Sequence, residues 1–594
     1  MPDPATPLVG PSTLQLPAWH PVWAKELAEM YYSGTICMFV LHGNVHDLVR
    51  AQGPDGKDTF ISLPDFLATQ VFGSWDVVLG CDLGRGLRGL AGSDAKRLQT
   101  MMQHVTGALG LPATWSRDPD KMLDQLELLV QRNLLEENSA NRKRTAFLFE
   151  HAQYLLPTGD LGAMARGQAS RLVRMIGWAA NPYIKKLNIA FCLITEKLSE
   201  LSDRLVQNPY VAAIEIPLPG VEDRRKFIEA TASQANGAVG VKLGALTAEG
   251  MSQTSSGLNL VNLNVVLSQG GSRPLDLGLF RKLKKSMIER QCQGLVEFVE
   301  PPHTLDLIVG QPEAKSRLKQ DAEWIGQGRL ETAPMGYLFC GSVGTGKTFL
   351  AECYAGSIGI PCLKLRNFRS KYVGETEGNL EQVLNVLRSL GPVVVIVDEA
   401  DASLGDRRAD GDSGTSGRVF SMIAQQMGDT RYRGKIIWML LTCRPDLLPI
   451  DLKRQGRCEV HIPLFAPQDS AEIAEMFRAM AKKNKSKLAE NAIPVVSPDR
   501  QLSGADLESV LLAARRKSLA AGRELIERAD LDSALEEFIP SSEGLEKEMQ
   551  EIAAVLECTE RKFLPAVWRE KIAVSDARGR LQERMMAIRQ LIED

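Results

Sequence analysis

The run Gly341 to Thr348, GSVGTGKT, gathers the groups that a triphosphate needs. It follows the apolar stretch YLFC and precedes the helix-forming FLAECYAGSIG. Glycines at 341, 344 and 346 allow backbone amides to turn inward around phosphate oxygens. Lys347 can reach the β- and γ-phosphates, Thr348 can ligate Mg²⁺, and the helix that follows presents its positive end. Gly341, Ser342, Val343, Gly344, Thr345, Gly346, Lys347, Thr348 and Phe349 are therefore the expected phosphate-side contacts. Downstream, VVVIVDEAD (Val393 to Asp401) runs an apolar strand into acids. Asp398 at the strand end can hold Mg²⁺, directly or through water, and Glu399 is placed to polarise the water that attacks a γ-phosphate. A strand followed by acids is weak evidence alone, since acidic turns are common. Behind a phosphate loop it points to metal-assisted hydrolysis.

A second stretch, FLFEHAQ (Phe147 to Gln153), has the same shape without that chemistry. Its acid is Glu150, and His151 stands where the water-polarising acid would be. The matching upstream loop, LHGNVHDL, has no Gly-Lys pair and cannot neutralise a triphosphate in the usual way. His42 and His46 are four apart, but no third ligand suggests itself, so a metal site is disfavoured. This passage is expected to bind no Mg·ATP.

These residues need strands and helices to position them. In the first passage, helical WHPVWAKELAEMYYSG is followed by strand-like CMFVLHGNVHDLV, a helical stretch around LPDFLATQVF, and strand-like WDVVLGCDL, FLFEHAQ, LNIAFCLIT and VAAIEIPLP. A helical region from about Val221 to Arg290 closes it. The second passage has strands GYLFCG, PCLKL, VVVIVDEA, KIIWMLLT and CEVHIPL, then helices from about Asp469 to Phe538. Strands alternating with helices imply a parallel sheet covered on both faces. One α/β architecture is thus expected twice. The expected divisions are a disordered leader over 1–18, a degenerate unit over 19–300, an intact unit over 301–540 and a helical C-terminal tail over 541–594. In the tail, Leu545, Met549, Ile552 and Leu556 have the spacing of a docking face.

Length and composition agree. At 594 residues the chain is too long for one core. Hydrophobic content of 44% and charged content of 24% are ordinary for a globular protein. A net charge of −3 gives no global reason to expect nucleic-acid or anionic-membrane binding. The 10 cysteines include no CxxC pair, and most sit in apolar runs, so they read as buried free thiols in a reducing compartment. No apolar run reaches membrane-spanning length and the N-terminus lacks a signal-peptide pattern, so the expected location is cytoplasmic.

Over about Leu305 to Pro540 the chain resembles the AAA family of ATPases, in the branch with FtsH-type proteases, katanin and spastin. KYVGE (Lys371 to Glu375) looks like that family's first pore loop, with Lys371, Tyr372, Val373 and Gly374 contacting substrate and Tyr372 gripping polypeptide. RPDLLPIDLKRQGR matches its second region of homology, where Arg454 and Arg457 stand as arginine fingers reaching a neighbouring subunit. SGAD resembles the sensor-2 turn, in which Gly504 and Ala505 approach nucleotide. Ile308, Val309 and Gly310 would line the adenine pocket, and the Gly-rich run Gly405 to Gly417 stands where a second pore loop falls. Tyr372 and that run also fit plain surface loops. One departure is Cys443, in Thr442-Cys443-Arg444-Pro445, where the family has an asparagine that positions water. A thiol is a weak donor and acceptor, which implies slow turnover.

The resemblance implies tandem AAA+ modules, each a parallel-sheet αβα sandwich with a helical lid. It also implies ATP and Mg²⁺ as cofactors, a hexameric homo-oligomer and a protein client. The degenerate-then-intact layout is similar to cyanobacterial and plastid AAA proteins with an inactive first domain. An ATP-driven protein remodeller is the first expectation. A nucleotide-gated switch or scaffold is the alternative. A nucleic-acid motor is disfavoured, since no basic stripe or stacking cluster is apparent. No HExxH is present to support peptidase activity.

Overall fold

A strand buried on both faces of a parallel sheet must be apolar along its whole length, and the runs singled out above have that composition. The computed structural model describes residues 16–593 apart from 54–55, 110–115, 139–140, 160–163, 235–246, 270–276, 367–372, 405–414, 541–543 and 575. Two units are present: Met1–Gln291 with Glu377–Ser389, and Cys292–Thr376 with Leu390–Asp594.

In the first unit, strands β1 (Met38–Gly43), β4 (Val77–Asp82), β5 (Gly86–Gly89), β6 (Thr145–Phe149), β7 (Ile189–Ile194) and β8 (Val211–Ile216) form one sheet, in the order β5-β4-β6-β7-β1-β8. Only β5 is antiparallel to its neighbour. Strands β2 (Leu48–Gln52) and β3 (Asp58–Ser62) make a separate hairpin. Every residue of β6 is buried, and Phe147 stacks on Phe191 with ring centroids 5.2 Å apart. Helices Val221–Gln234, Ala248–Thr254, Leu260–Gln269 and Leu277–Gln291 follow the sheet.

The second unit repeats the plan. Strands β9 (Val296–Val299), β10 (Gly336–Cys340), β11 (Cys362–Leu365), β12 (Val393–Val397), β13 (Ile436–Thr442) and β14 (Val460–Pro463) lie in the order β14-β10-β13-β12-β11-β9. Matching β10 to β1, β11 to β4, β12 to β6, β13 to β7 and β14 to β8 makes the order of the five parallel strands identical, while the antiparallel edge strand comes from a different place in each chain segment, β5 just after β4 and β9 before β10. A helical lid (Ser470–Lys483, Gly504–Ala520, Arg528–Glu537) has its own core around Phe477, Leu507, Leu511 and Leu531. Helices Gly544–Glu557, Ala566–Ala573 and Ala577–Glu593 end the chain.

Three features differ from the sequence reading. CMFVLHGNVHDLV breaks into β1 and β2, because Gly43 takes φ +95° and the Asn44 side-chain amide donates to the Asp47 carboxylate across the turn at 2.9 Å. The five parallel strands expected of the second unit carry β9 as a sixth, antiparallel one. In the tail, Met549 and Ile552 pack against Ile588, whereas Leu545 stays exposed. Of the cysteines, eight are buried and Cys443 and Cys558 are partly exposed, all of them free thiols. No helix of the described residues is long and apolar enough to cross a membrane.

Candidate functional site

Strand β10 lies between β14 and β13, and β13 lies between β10 and β12. These strands run parallel, so the chain leaves Cys340, Thr442 and Val397 at the same edge of the sheet. After β10 the backbone turns too tightly for side chains. At Gly341, with φ +145°, a Cβ would lie 2.2 Å from the Leu464 carbonyl oxygen. At Gly344, with φ +80°, it would lie 2.5 Å from Ser503 Oγ. Lys347 Nζ donates to the carbonyls of Gly341 and Ser342, each at 2.9 Å, and Thr345 Oγ1 donates to Ser342 O at 2.8 Å.

Thr348 Oγ1 donates to Asp398 Oδ2 at 3.1 Å, so the two groups expected to hold metal meet. A hydroxyl and a carboxylate are the hard oxygen donors Mg²⁺ takes, and they sit one on each side of the phosphate loop's end. The donor set fits the ion. Asp398 Oδ2 also accepts from Lys364 Nζ of β11 at 2.8 Å. Sequence reasoning missed Lys364. Its only signal was a cation near the C-terminal end of an otherwise apolar strand, and which strand pairs with β12 cannot be read from that.

Glu399 follows Asp398 in a left-handed conformation, φ +47°, and its side chain is exposed beside the strand end. On β13, Thr442 is buried; its hydroxyl donates to Asp401 Oδ1 at 2.6 Å and accepts from the Arg444 amide at 2.8 Å. Cys443 comes next and is partly exposed. The two arginines differ in freedom. Arg454 is 61% exposed, 3.7 Å from Asp451 Oδ1, while the Arg457 side chain is only 13% exposed and donates to the Asp451 carbonyl at 2.9 Å. Burial, with the charge of Arg454, holds the Arg457 guanidinium below its ordinary pKa. Among the described residues that line the cleft, neither arginine appears.

That cleft has a volume of about 610 Å³, within the usual range for ligand pockets. Gly344 to Phe349 form its phosphate side, and Ile308, Val309 and Gly310 line it elsewhere. The lid closes on it through the Ser503 turn. Ser503 Oγ accepts from the Asp506 amide at 3.2 Å while the Asp506 carboxylate accepts from the Ser503 amide at 2.8 Å, a reciprocal helix cap. The Ala505 amide then donates to Gly344 O at 3.1 Å, so Gly504 and Ala505 do meet the phosphate loop. Lys371 and Tyr372 lie outside the described residues, as does most of the Gly405 to Gly417 run; Val373 and Gly374 open the helix Val373–Ser389.

The matching edge of the first unit holds different chemistry. Glu150 follows β6 and is paired with Arg88 and, at 3.1 Å, with Arg85. Both arginines also hold Asp82, at 2.8 Å and 2.5 Å. Burial pushes the Asp82 carboxyl up, but the Arg85 amide and the two guanidinium groups outweigh it and leave the pKa below the usual range. His151 is left-handed, φ +54°, like Glu399, and its ring stacks on His46 at 5.5 Å. In the loop after β1, Asp47 is 3% exposed and accepts from the amides of Leu260 and Val261 at 2.9 and 3.0 Å. A carboxylate of the chain thus caps the helix Leu260–Gln269.

Comparison with known proteins covers both units. Residues 337–465 match the model of the ATPase family associated with various cellular activities (AAA). Residues 13–217 match that of the AAA+ chaperone N-terminal Rossmann-like domain, and residues 222–293 that of the AAA+ chaperone second helical domain. The ATP-dependent zinc metalloprotease FtsH 3 of Sphaerobacter thermophilus is 28% identical over 277 residues, 45% of this chain and 56% of that protein. The peroxisomal ATPase pex6 of Schizosaccharomyces pombe is 28% identical over 303 residues, 47% of this chain and 30% of its own length. An uncharacterized AAA domain-containing protein, ycf46 of Trieres chinensis, is 29% identical over 212 residues, 35% and 42% of the respective chains. The chain therefore spans only about half, or less, of the length of these relatives.

Proposed function

This chain belongs to the AAA+ family, with chaperone-type modules in its first part and an AAA module in its second, and from that premise we propose that it is an oligomeric, ATP-hydrolysing protein remodeller. The observation that carries the reading is the meeting of phosphate loop, Thr348 and Asp398 at one sheet edge, under a lid that touches Gly344. Lys347 exchanges its bonds to Gly341 and Ser342 carbonyls for phosphate oxygens as ATP enters. Thr348 and Asp398 would hold Mg²⁺, which would supply charge neutralisation for the triphosphate. Glu399 accepts a proton from the attacking water, with Thr442 and Cys443 beside it on the neighbouring strand end. Arg454 and Arg457 complete the site of an adjacent subunit in a ring, and the exposed side chain of Arg454 suits that role better than the tucked one of Arg457. The degenerate unit, expected over 19–300, serves as a recognition or ring-building platform; the unit expected over 301–540, with strand β9 (Val296–Val299) in its sheet, serves as the motor and 541–594 as its helical extension. Val309 and Gly310 contact the base, and Lys371 to Gly374 contact the polypeptide.

The Lys364–Asp398 pair favours a second reading, a slowly cycling nucleotide-gated switch, since metal and ammonium compete for one carboxylate oxygen. One experiment separates the two. Glu399→Gln should bind ATP, lose hydrolysis and retain client on pull-down, while Lys347→Ala should bind no ATP. Tyr372→Ala should then keep basal hydrolysis and lose client processing. If Tyr372→Ala keeps full processing, the switch reading prevails.

A further inference from the structure

The C-terminal extension reaches the nucleotide cleft. On its first helix, Gly544–Glu557, Gln550 is 4% exposed, and its Oε1 accepts from the backbone amide of Val343, in the phosphate loop, at 3.1 Å. The same helix is fixed to the sheet. Cys340 Sγ, at the end of β10, approaches the Ala554 carbonyl at 3.9 Å, and His461 of β14 meets the Glu557 carbonyl at 2.9 Å. Glu557 also pairs at 2.5 Å with Lys453, the residue before Arg454. The chain then turns back, and Phe563 enters the core of the sandwich while Lys562, Leu564 and Arg569 line the cleft.

We propose that Gln550 is a positioning residue of the nucleotide site: it holds the start of the phosphate loop, so that the amides of Gly344 to Thr348 converge on phosphate before nucleotide arrives. This rests on the nucleotide reading given above. The physical reason lies in the loop itself. The amide of Val343 belongs to the loop, yet it is tied to a side chain of the extension. Without an acceptor there, this amide must find another partner by moving, and the glycines on either side, at 341 and 344, offer little resistance to such a shift. A loop that populates other arrangements binds more weakly by the inverse of the fraction correctly placed, so a loop competent about one tenth of the time binds about tenfold more weakly. Gln550 is not among the described residues that line the cleft, so its loss acts on affinity and spares the chemical step.

The test uses the full-length protein with Mg²⁺ and a fluorescent ATP analogue for binding, and ATP for steady-state hydrolysis. Gln550→Met keeps the length and apolar stem of the side chain but cannot accept the bond. It should raise Kd and KM about tenfold, leave kcat within about twofold, and speed hydrogen exchange of the Val343 amide. Val343→Pro removes the donor instead. In that background Gln550→Met should change Kd by less than about threefold, because the contact no longer exists to be lost. Wild-type protein that binds the analogue, with Gln550→Met binding it equally well, overturns the inference alone. A fall in kcat matching the rise in KM also overturns it, since general damage would do that. Wild-type protein that binds no nucleotide overturns the reading on which the inference rests and the inference with it.

Discussion

Asp47→Ala removes the carboxylate that stands in the first unit's counterpart of the phosphate loop. Its oxygens accept from the Leu260 amide, the Val261 amide and the Asn44 side chain, in a position only 3% exposed. Loss of a helix N-cap costs roughly 0.5–2 kcal/mol, and a buried donor left without an acceptor costs roughly 1–3 kcal/mol. Because the two costs overlap at the same amides, a total of about 2–4 kcal/mol is expected for local opening of that helix start. At 1.4 kcal/mol per decade this is roughly a 30- to 700-fold acceleration of hydrogen exchange. The assay is exchange at Leu260 to Leu263 in the whole protein, read locally because a chain of several cores has no single unfolding free energy. Asp47→Asn retains one acceptor oxygen and should accelerate exchange less than about tenfold. The pH dependence has a definite sign. Burial raises the folded Asp47 pKa above its ordinary value, against the pull of its hydrogen bonds. Between the unfolded value and that raised one the folded state binds more protons, so stability falls as pH rises through this window. Asp47→Asn should abolish that slope. Exchange in Asp47→Ala within threefold of wild type would refute the reasoning.

Further outcomes are expected in both units. Arg454→Ala should leave ATP binding intact and lower hydrolysis steeply, since an arginine finger supplies roughly 10³ to 10⁵ in rate. Arg457→Ala should behave likewise if both reach the neighbour, and mixing it with Lys347→Ala chains should restore some turnover; wild-type rates in the Arg variants would remove the trans assignment. In the first unit, Glu150→Ala with His151→Ala should leave ATP turnover within about threefold of wild type, and titration of the Glu399→Gln protein should give about one nucleotide per chain. Two sites per chain would mean that the pairing of Glu150 with arginines leaves room for chemistry after all.

What was legible in the sequence was whatever depends on a contiguous run. The apolar run before Gly341, the run before Asp398 and the run before Glu150 each specify a buried strand by themselves, and their ends fall where expected. Strands β5 and β9 were missed because GLRG and VEFV are short, and their place is fixed by pairing along a sheet edge and not by a pattern of their own. Partners distant in sequence were equally invisible. Lys364 reads as a stray charge until β11 is known to pair with β12, and Gln550 reads as a surface glutamine until its helix is seated on β14. The apolar spacing in the tail did signal docking, but it named one face of a helix that uses two, since Val555 packs with Phe465 and Leu564 while Met549 and Ile552 pack with Ile588.

The left-handed residue after each acid-bearing strand has a consequence for how distortion is interpreted. A side chain other than glycine in that region costs of order 1–2 kcal/mol, and such a cost at Glu399 invites explanation as catalytic pre-organisation. Yet His151 adopts the same backbone, φ +54° against +47°, where the preceding acid, Glu150, is paired with two arginines. The distortion therefore belongs to the corner by which each sheet passes from strand to helix. The carboxylate of Glu399 stands on an elbow that the backbone makes in both units, whatever side chain it carries.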